Sequence, residues 1–167
     1  MNLTLDIVKK IVAAVKDREL DGIAITDHYG KAFGYEVKEM VDHHLDGEIT
    51  VIPGQEIDKI FPAIDRGFLH AHIVELYLPG DVTFRFMAHP DRWDINKLDP
   101  VTYDSIHGIE LKNPNYKYEM DEAKIREVAE KHDLLLLTNS DAHFLSDIGT
   151  YYNEIEIEEL CARARSK

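Results

Sequence analysis

A chain of 167 residues can bury a single hydrophobic core, and its 44% hydrophobic and 31% charged residues exclude a disordered or fibrous protein. A net charge of −13 argues against a nucleic-acid polymer as partner, because lysine and arginine supply most of the affinity for a phosphate backbone. No stretch approaches the roughly 18 apolar residues of a membrane span, and the N-terminus lacks the plan of a signal peptide. The single Cys161 also favours a cytoplasmic protein.

Strand and helix patterns alternate along the chain. In chain order, short apolar runs predict strands over residues 21–28, 49–57, 70–78, 82–90, 108–113 and 134–143. Apolar residues at helical spacing predict helices over 4–19, 35–47, 120–133 and 155–165. Residues 58–68 and 91–107 are predicted as loops, the second with one short helix. The alternation predicts a single α/β domain over 1–167 with a mostly parallel sheet.

Acidic residues and histidines recur at the ends of the predicted strands, where ligands gather in α/β folds. They are Asp27, His28, Glu56, His72, His89, Glu110, Asp141 and His143. His72 stands at the start of its run and therefore requires an early strand end or a different register. Imidazole and carboxylate together suit Zn, Mn or Fe, and a carboxylate can bridge two metals about 3.5–4 Å apart. The pattern predicts a two-metal hydrolytic centre.

A single histidine is weak evidence for a ligand, because most histidines are structural or surface residues. Recurrence at successive strand ends is stronger, since a buried cluster of acids and histidines without a metal carries a heavy desolvation penalty. The remaining histidines on predicted helices or loops are interpreted as surface residues. They are His43, His44, His107 and His132.

The ordered combination of GIAITDH, VIPGQE, AHIVELYL, MAHP, GIEL and TNSDAH resembles the PHP domain, named for polymerase and histidinol phosphatase. The resemblance runs from about residue 3 to the end of the sequence. It implies a distorted (β/α)7-type barrel with up to three metal ions, often Zn, Mn or Fe. It also implies a phosphoesterase acting on a small phosphorylated compound, in which a metal-bridging hydroxide attacks phosphorus.

The resemblance also implies roles for individual residues. The metal ligands would be His28, Glu56, His72, His89, Asp141 and His143. Glu56 would be the bridging carboxylate and, with Asp141, a catalytic residue. Arg92 would be a third catalytic residue that reaches a substrate phosphate as a bidentate donor, or else an ordinary surface arginine.

Three further residues match the family pattern less strongly. Asp27 would orient His28 or a neighbouring backbone group. Glu110 and Asn113 match an E-x-x-N region that is less constant within the family.

The sequence departs from the family at its N-terminus. Family members begin with a strand that carries D-L-H-x-H and a further histidine, whereas the first histidine here is His28. The site of Glu56, His72 and His89 would keep its three protein ligands. The Asp141 site would lose two ligands, and the site of His28 and His143 would lose one. The barrel would also lack its first strand and expose two edges, which favours pairing with another chain.

Three explanations of this departure compete. The chain is shortened or its start is miscalled, or a natural variant fills the gap as a homodimer, or the domain is a remnant that binds metal weakly. The first is favoured, because Met1 and Asn2 lie only a few residues before the predicted helix, for which Thr4 is a suitable capping residue. Three functions follow: a phosphoesterase, a metal-binding but inactive domain with a regulatory or scaffold role, and a barrel hydrolase of C–N or C–O bonds. None of them involves a membrane.

Overall fold

The apolar runs of the sequence form a six-stranded sheet in the computed structural model, which describes residues 3–65, 67–90, 95–114 and 121–167. The strands lie side by side in chain order: β1 (Gly22–Asp27), β2 (Thr50–Pro62), β3 (Phe68–Leu78), β4 (Val82–Met87), β5 (Gly108–Lys112) and β6 (Leu135–Thr138). The helices are α1 (Leu5–Lys16), α2 (Ala32–His44), α3 (Val101–Asp104), α4 (Glu122–His132) and α5 (Ile157–Ser166). The predicted strands and helices are thus confirmed, and α3 matches the short helix expected within 91–107.

The sheet is mixed and curls into a half-barrel. β1, β2, β4, β5 and β6 run in one direction, and β3 runs antiparallel to both of its neighbours. The mostly parallel sheet that the sequence predicts is confirmed for these five strands. β3 is reversed because residues 63–67 and 79–81, which connect it to β2 and β4, are too short for the crossover that parallel strands require.

Residues 58–68, predicted as a loop, instead extend β2 and β3 into a long antiparallel hairpin. The prediction is wrong because the breakers in this segment flank the hairpin turn: Pro62 is the last residue of β2, and Gly67 precedes β3. β2 also continues through Pro53. Pairing with β3 begins only at Gly54, so Pro53 has a strand neighbour on one side only, where proline is tolerated.

Apolar side chains on both faces of the sheet are covered by helices. One face packs around Ile73 and Ile109 against α4, and the opposite face of β3 and β4 packs around Phe84 against α5. A third cluster joins α1 and α2 to β1 and β2. These clusters hold the strands firmly, so the strand ends are rigid mounts for polar side chains. No helix in the described ranges is long and apolar enough to cross a membrane.

The outermost strands of the sheet are β1 and β6. The chain that follows β6 covers part of its edge: the Thr138 N–H donates to Oδ1 of Asn153 at 2.8 Å, and Nδ2 of Asn153 donates to the Thr138 carbonyl at 2.8 Å. Within the described ranges, no strand pairs with the outer side of β1. Of the two exposed edges that the resemblance implies, the one at β6 is thus partly covered, and the one at β1 has no strand partner among the described residues.

His107, interpreted from sequence as a surface residue, is only 4% exposed. Its Nδ1 accepts a hydrogen bond of 2.8 Å from the Arg85 N–H, and its ring lies against Phe84. Burial, helped by the charges of Arg85 and Lys167, lowers its pKa to about 4. The interpretation is wrong because Gly108 begins β5 directly after this residue, so His107 enters the core with the strand.

Candidate metal centre

The strands bring the predicted site residues to one end of the sheet, where the parallel strands have their carboxyl ends. Asp27 is the last residue of β1, His89 lies two residues after the end of β4, and Asp141 lies three residues after the end of β6. His72 lies at the same end of the sheet although it is near the start of β3, because β3 runs in the opposite direction. The reversal of one strand therefore explains the residue that did not fit the predicted pattern.

Glu56, His72 and His89 form a compact group of potential metal ligands. Oε1 of Glu56 lies 2.6 Å from Nδ1 of His72 and 3.1 Å from Nε2 of His89. One potential ligand atom from each residue lies within 4.8 Å of the other two. The rings of His72 and His89 meet edge to face, with centroids 4.8 Å apart. Two imidazoles and a carboxylate thus converge on one point.

Strand register explains how β2 and β3 bring two of these residues together. Glu56 lies opposite Val74, and Asp58 lies opposite His72. Glu56 and His72 are therefore diagonal neighbours on one face of the hairpin, within reach of each other's side chains. Glu56 is 9% exposed and the His72 side chain is 18% exposed, so both groups are largely withdrawn from water.

The charges within this group favour a bound cation. Burial raises the pKa of the Glu56 carboxyl, but the hydrogen bond with His89 and the charges of the neighbouring histidines outweigh it and hold the pKa below its usual value. Burial lowers the pKa of His89, but the hydrogen bond and the charge of Glu56 outweigh it and raise the pKa. The group therefore attracts positive charge. A divalent ion supplies such charge, and two nitrogen donors with one oxygen donor suit Zn, Mn or Fe.

Glu110 fixes the position of His89. Its Oε2 accepts the His89 backbone N–H at 2.6 Å, and its Oε1 accepts from Nδ2 of Asn139 at 2.8 Å. Asn113 Nδ2 also donates to Oε2, at 3.3 Å. His89 has a positive φ of 31°, which is unfavourable for a residue with a Cβ, and the bond to Glu110 stabilises this backbone. Burial raises the pKa of Glu110, which is 2% exposed.

Asp141 is connected to this network but belongs to no comparable group among the described residues. Nδ2 of Asn113 donates to its Oδ2 at 3.1 Å and so links Asp141 to Glu110. Asp141 also has a positive φ, 44°. The Nδ1–H of His143 donates to the Asp141 carbonyl at 2.8 Å, and the His143 side chain is 63% exposed. Asp141 and His143 are thus adjacent, and no third ligand is grouped with them in the part of the chain that the structure describes.

His28 lies at the border of the compact group. Its Nε2 is 3.7 Å from Oε2 of Glu56, and its side chain is 55% exposed. The Asp27 carboxylate accepts the Tyr29 N–H at 2.8 Å and so shapes the backbone around His28. This agrees with the second of the two roles predicted for Asp27.

The sequence interpretation missed part of the site. Asn139 was not predicted as a site residue, yet it donates a hydrogen bond to Glu110. His70 and Asp58, whose Nδ1 and Oδ1 are 3.2 Å apart, lie on the extended hairpin beside His72 and were not predicted to interact. The repeated spacing of His70 and His72 was the available signal, since alternate residues of a strand share a face. Arg92 lies outside the described residues.

Comparisons with known proteins agree with the resemblance. A family model described as PHP-associated matches residues 120–166. The fold matches the crystal structure of a "putative metal-dependent phosphoesterase" from Bifidobacterium adolescentis, with a TM-score of 0.70 and 14% sequence identity. The match covers 94% of this chain and 91% of that one. No curated protein sequence matches the chain.

Proposed function

We propose that this chain belongs to the PHP family and is a metal-dependent phosphoesterase that hydrolyses a small phosphorylated compound. The PHP-associated match over residues 120–166 and the fold match support the proposal. The observation that carries the proposal is the convergence of His72 and His89 on one oxygen of Glu56. The half-barrel sheet would be the larger part of a distorted (β/α)7-type barrel that lacks its first strand. Its strand ends present the site, as they do in other α/β enzymes.

In this proposal Glu56, His72 and His89 would hold one divalent ion, Zn, Mn or Fe. Such an ion would supply Lewis-acid chemistry, polarising a phosphoryl oxygen and lowering the pKa of water. The protein orients the ligands: Glu110 holds the backbone of His89, and the hairpin register sets His72 beside Glu56. The low exposure of Glu56 and His89 keeps bulk water away from both side chains and strengthens electrostatic interactions at the site.

Further positions extend the proposed site. Asp141, held through Asn113, and His143 would contribute to a second metal position, and His28 would approach Glu56 from the side of β1. Arg92 follows His89 and Pro90 in the sequence and would bind the substrate phosphate. Asp141 and Glu56 would be the catalytic carboxylates, since each would hold a metal that touches the phosphate.

A second candidate function is a metal-binding but inactive domain with a regulatory or scaffold role. The observation that favours it is the exposure of His143 and the lack, among the described residues, of a three-ligand group that includes Asp141. Two-metal phosphoester hydrolysis requires both positions to be filled. The two candidates share the first metal position and differ in whether the second position is filled and, as a result, in turnover.

The test is hydrolysis of a generic phosphate ester, 4-nitrophenyl phosphate, by the purified chain with added Zn or Mn. Glu56→Ala and His89→Ala are compared with two exposed control variants of the same residue types on α2, Glu36→Ala and His43→Ala. The proposal expects metal-dependent release of phosphate that both site variants abolish and both controls retain.

Bound metal without release of phosphate from any ester in a substrate panel supports the inactive domain instead. Hydrolysis of a C–N or C–O bond, with no phosphatase activity, replaces the phosphoesterase by a different metal-dependent hydrolase. Measurable hydrolysis that Glu56→Ala retains at the wild-type rate contradicts both candidates, because neither allows hydrolysis independent of Glu56.

A further inference from the structure

We propose that the extended β2–β3 hairpin is a substrate-specificity wall beside the metal centre, on which Ile60 and Phe68 contact an apolar group of the phosphoester. The favoured substrate class is a phosphomonoester of an aryl or long alkyl alcohol. This inference rests on the proposed function and adds to it the chemistry of the leaving alcohol.

The hairpin projects beyond the rest of the sheet. β1 pairs with β2 only as far as Gln55, and pairing of β4 with β3 begins at Ile73. Residues 58–62 and 68–72, which we call the hairpin arm, pair as strands only with each other among the described residues. The arm therefore extends from the end of the sheet at which Glu56 lies.

One face of the arm is continuous with the metal centre. Alternate residues of a strand point to the same face, and the register places six side chains together. They are Glu56, Asp58 and Ile60 of β2 and Phe68, His70 and His72 of β3. Ile60 lies opposite His70 and is a diagonal neighbour of both His72 and Phe68, at about 7–8 Å between Cα atoms. The apolar part of this face thus begins one residue pair beyond the proposed ligands.

The opposite face of the arm is fixed to the protein. Phe61 and Leu69 pack against the apolar cluster beside α4. The Asp99 N–H donates to the Pro62 carbonyl at 3.0 Å, and the Ile64 N–H donates to the Lys97 carbonyl at 2.9 Å. These contacts set the orientation of the arm, so the face with Ile60 and Phe68 is presented on the side of Glu56 and His72.

Ile60 is 62% exposed and Phe68 is 74% exposed. Single exposed apolar residues are common, but two diagonal neighbours on the face that carries proposed metal ligands form a surface that a ligand can cover. The four steps from Glu56 to Ile60 span about 13 Å along the strand, and the diagonal from His72 is shorter. A phosphate held at the metal centre therefore places a bicyclic aryl group within reach of Ile60 and, at its far end, of Phe68.

The test compares 2-naphthyl phosphate with glycerol phosphate as substrates, and 2-naphthylphosphonate with methylphosphonate as non-hydrolysable ligands measured by calorimetry. The variant is Ile60→Thr/Phe68→Thr, in which exposed residues are replaced by a residue suited to strands. Ile64→Thr is the matched control, because Ile64 is 61% exposed but lies in the hairpin turn outside the paired arm. Metal content is measured for all three proteins.

The inference expects the arm variant to lose about 10- to 30-fold in affinity for naphthylphosphonate and in kcat/KM for the naphthyl ester. Values for the two small compounds, and the metal content, stay within about twofold, and the control behaves as wild type. An unchanged ratio of naphthyl to small-compound affinity in the arm variant overturns the inference, as does no phosphonate binding to wild type. Selective phosphonate binding without hydrolysis of either ester instead contradicts the proposed function and leaves the wall supported.

Discussion

Replacement of Glu110 by glutamine tests whether this buried carboxylate positions His89. Glutamine keeps the shape of the side chain but offers one acceptor oxygen in place of two, against donors on His89, Asn113 and Asn139. At least one donor then loses its acceptor, and an unsatisfied buried donor costs about 1–3 kcal/mol. Because the His89 backbone is held at an unfavourable positive φ, we expect the loop to relax and metal affinity to fall about 10- to 100-fold.

The assay is calorimetric titration of metal-free protein with Zn or Mn, together with urea unfolding of the same samples. Glu127→Gln, an exposed substitution on α4, is the control and should change neither quantity. If Glu110→Gln binds metal as tightly as wild type and unfolds at the same urea concentration, Glu110 does not hold His89 in its binding position. A loss of stability with unchanged metal affinity would assign Glu110 a purely structural role.

Three further predictions concern charge and packing. The pKa of His107 is about 4 in the fold and 6.5 in the unfolded chain, so folding favours the neutral imidazole. The free energy of unfolding should therefore fall by up to about 3 kcal/mol as pH drops from 6.5 towards 4. His107→Asn should remove that part of the pH dependence in urea titrations, and an unchanged slope would refute the assignment. Glu75→Ala removes the acceptor of Gln55, Tyr77 and Arg85 and should cost about 2–3 kcal/mol in unfolding without changing metal content, measured by urea unfolding and elemental analysis. Phe84→Ala empties a fully buried position and should cost about 3–5 kcal/mol, which a small shift of the urea midpoint would contradict.

Much of the fold could be predicted because local patterns determine it. The apolar run at Leu134–Leu137 predicts a strand, and the structure places Leu135–Thr138 in β6. Thr4 caps α1 through its side-chain oxygen, as the sequence predicts. Even the resemblance to a known family was accessible, because the order of short motifs is more specific than any one of them.

The rest depended on contacts between distant residues. Pro62 and Gly67 looked like loop residues until the register of β2 and β3 placed them on either side of a turn. Glu110 was ranked below Glu56, because nothing in the sequence shows that its oxygens accept the His89 N–H. The convergence of Glu56 and His72 likewise requires the reversal of β3, which the predicted loop concealed.

The most direct test of the central claim is elemental analysis of the purified chain after exposure to Zn or Mn and removal of free metal, with Glu56→Gln and Glu36→Gln treated identically. If Glu56, His72 and His89 form a metal centre, wild type and Glu36→Gln should retain about one ion per chain or more, and Glu56→Gln should lose that ion. Equal metal content in wild type and Glu56→Gln, or no metal in wild type, would contradict the assignment of these three residues as a metal centre.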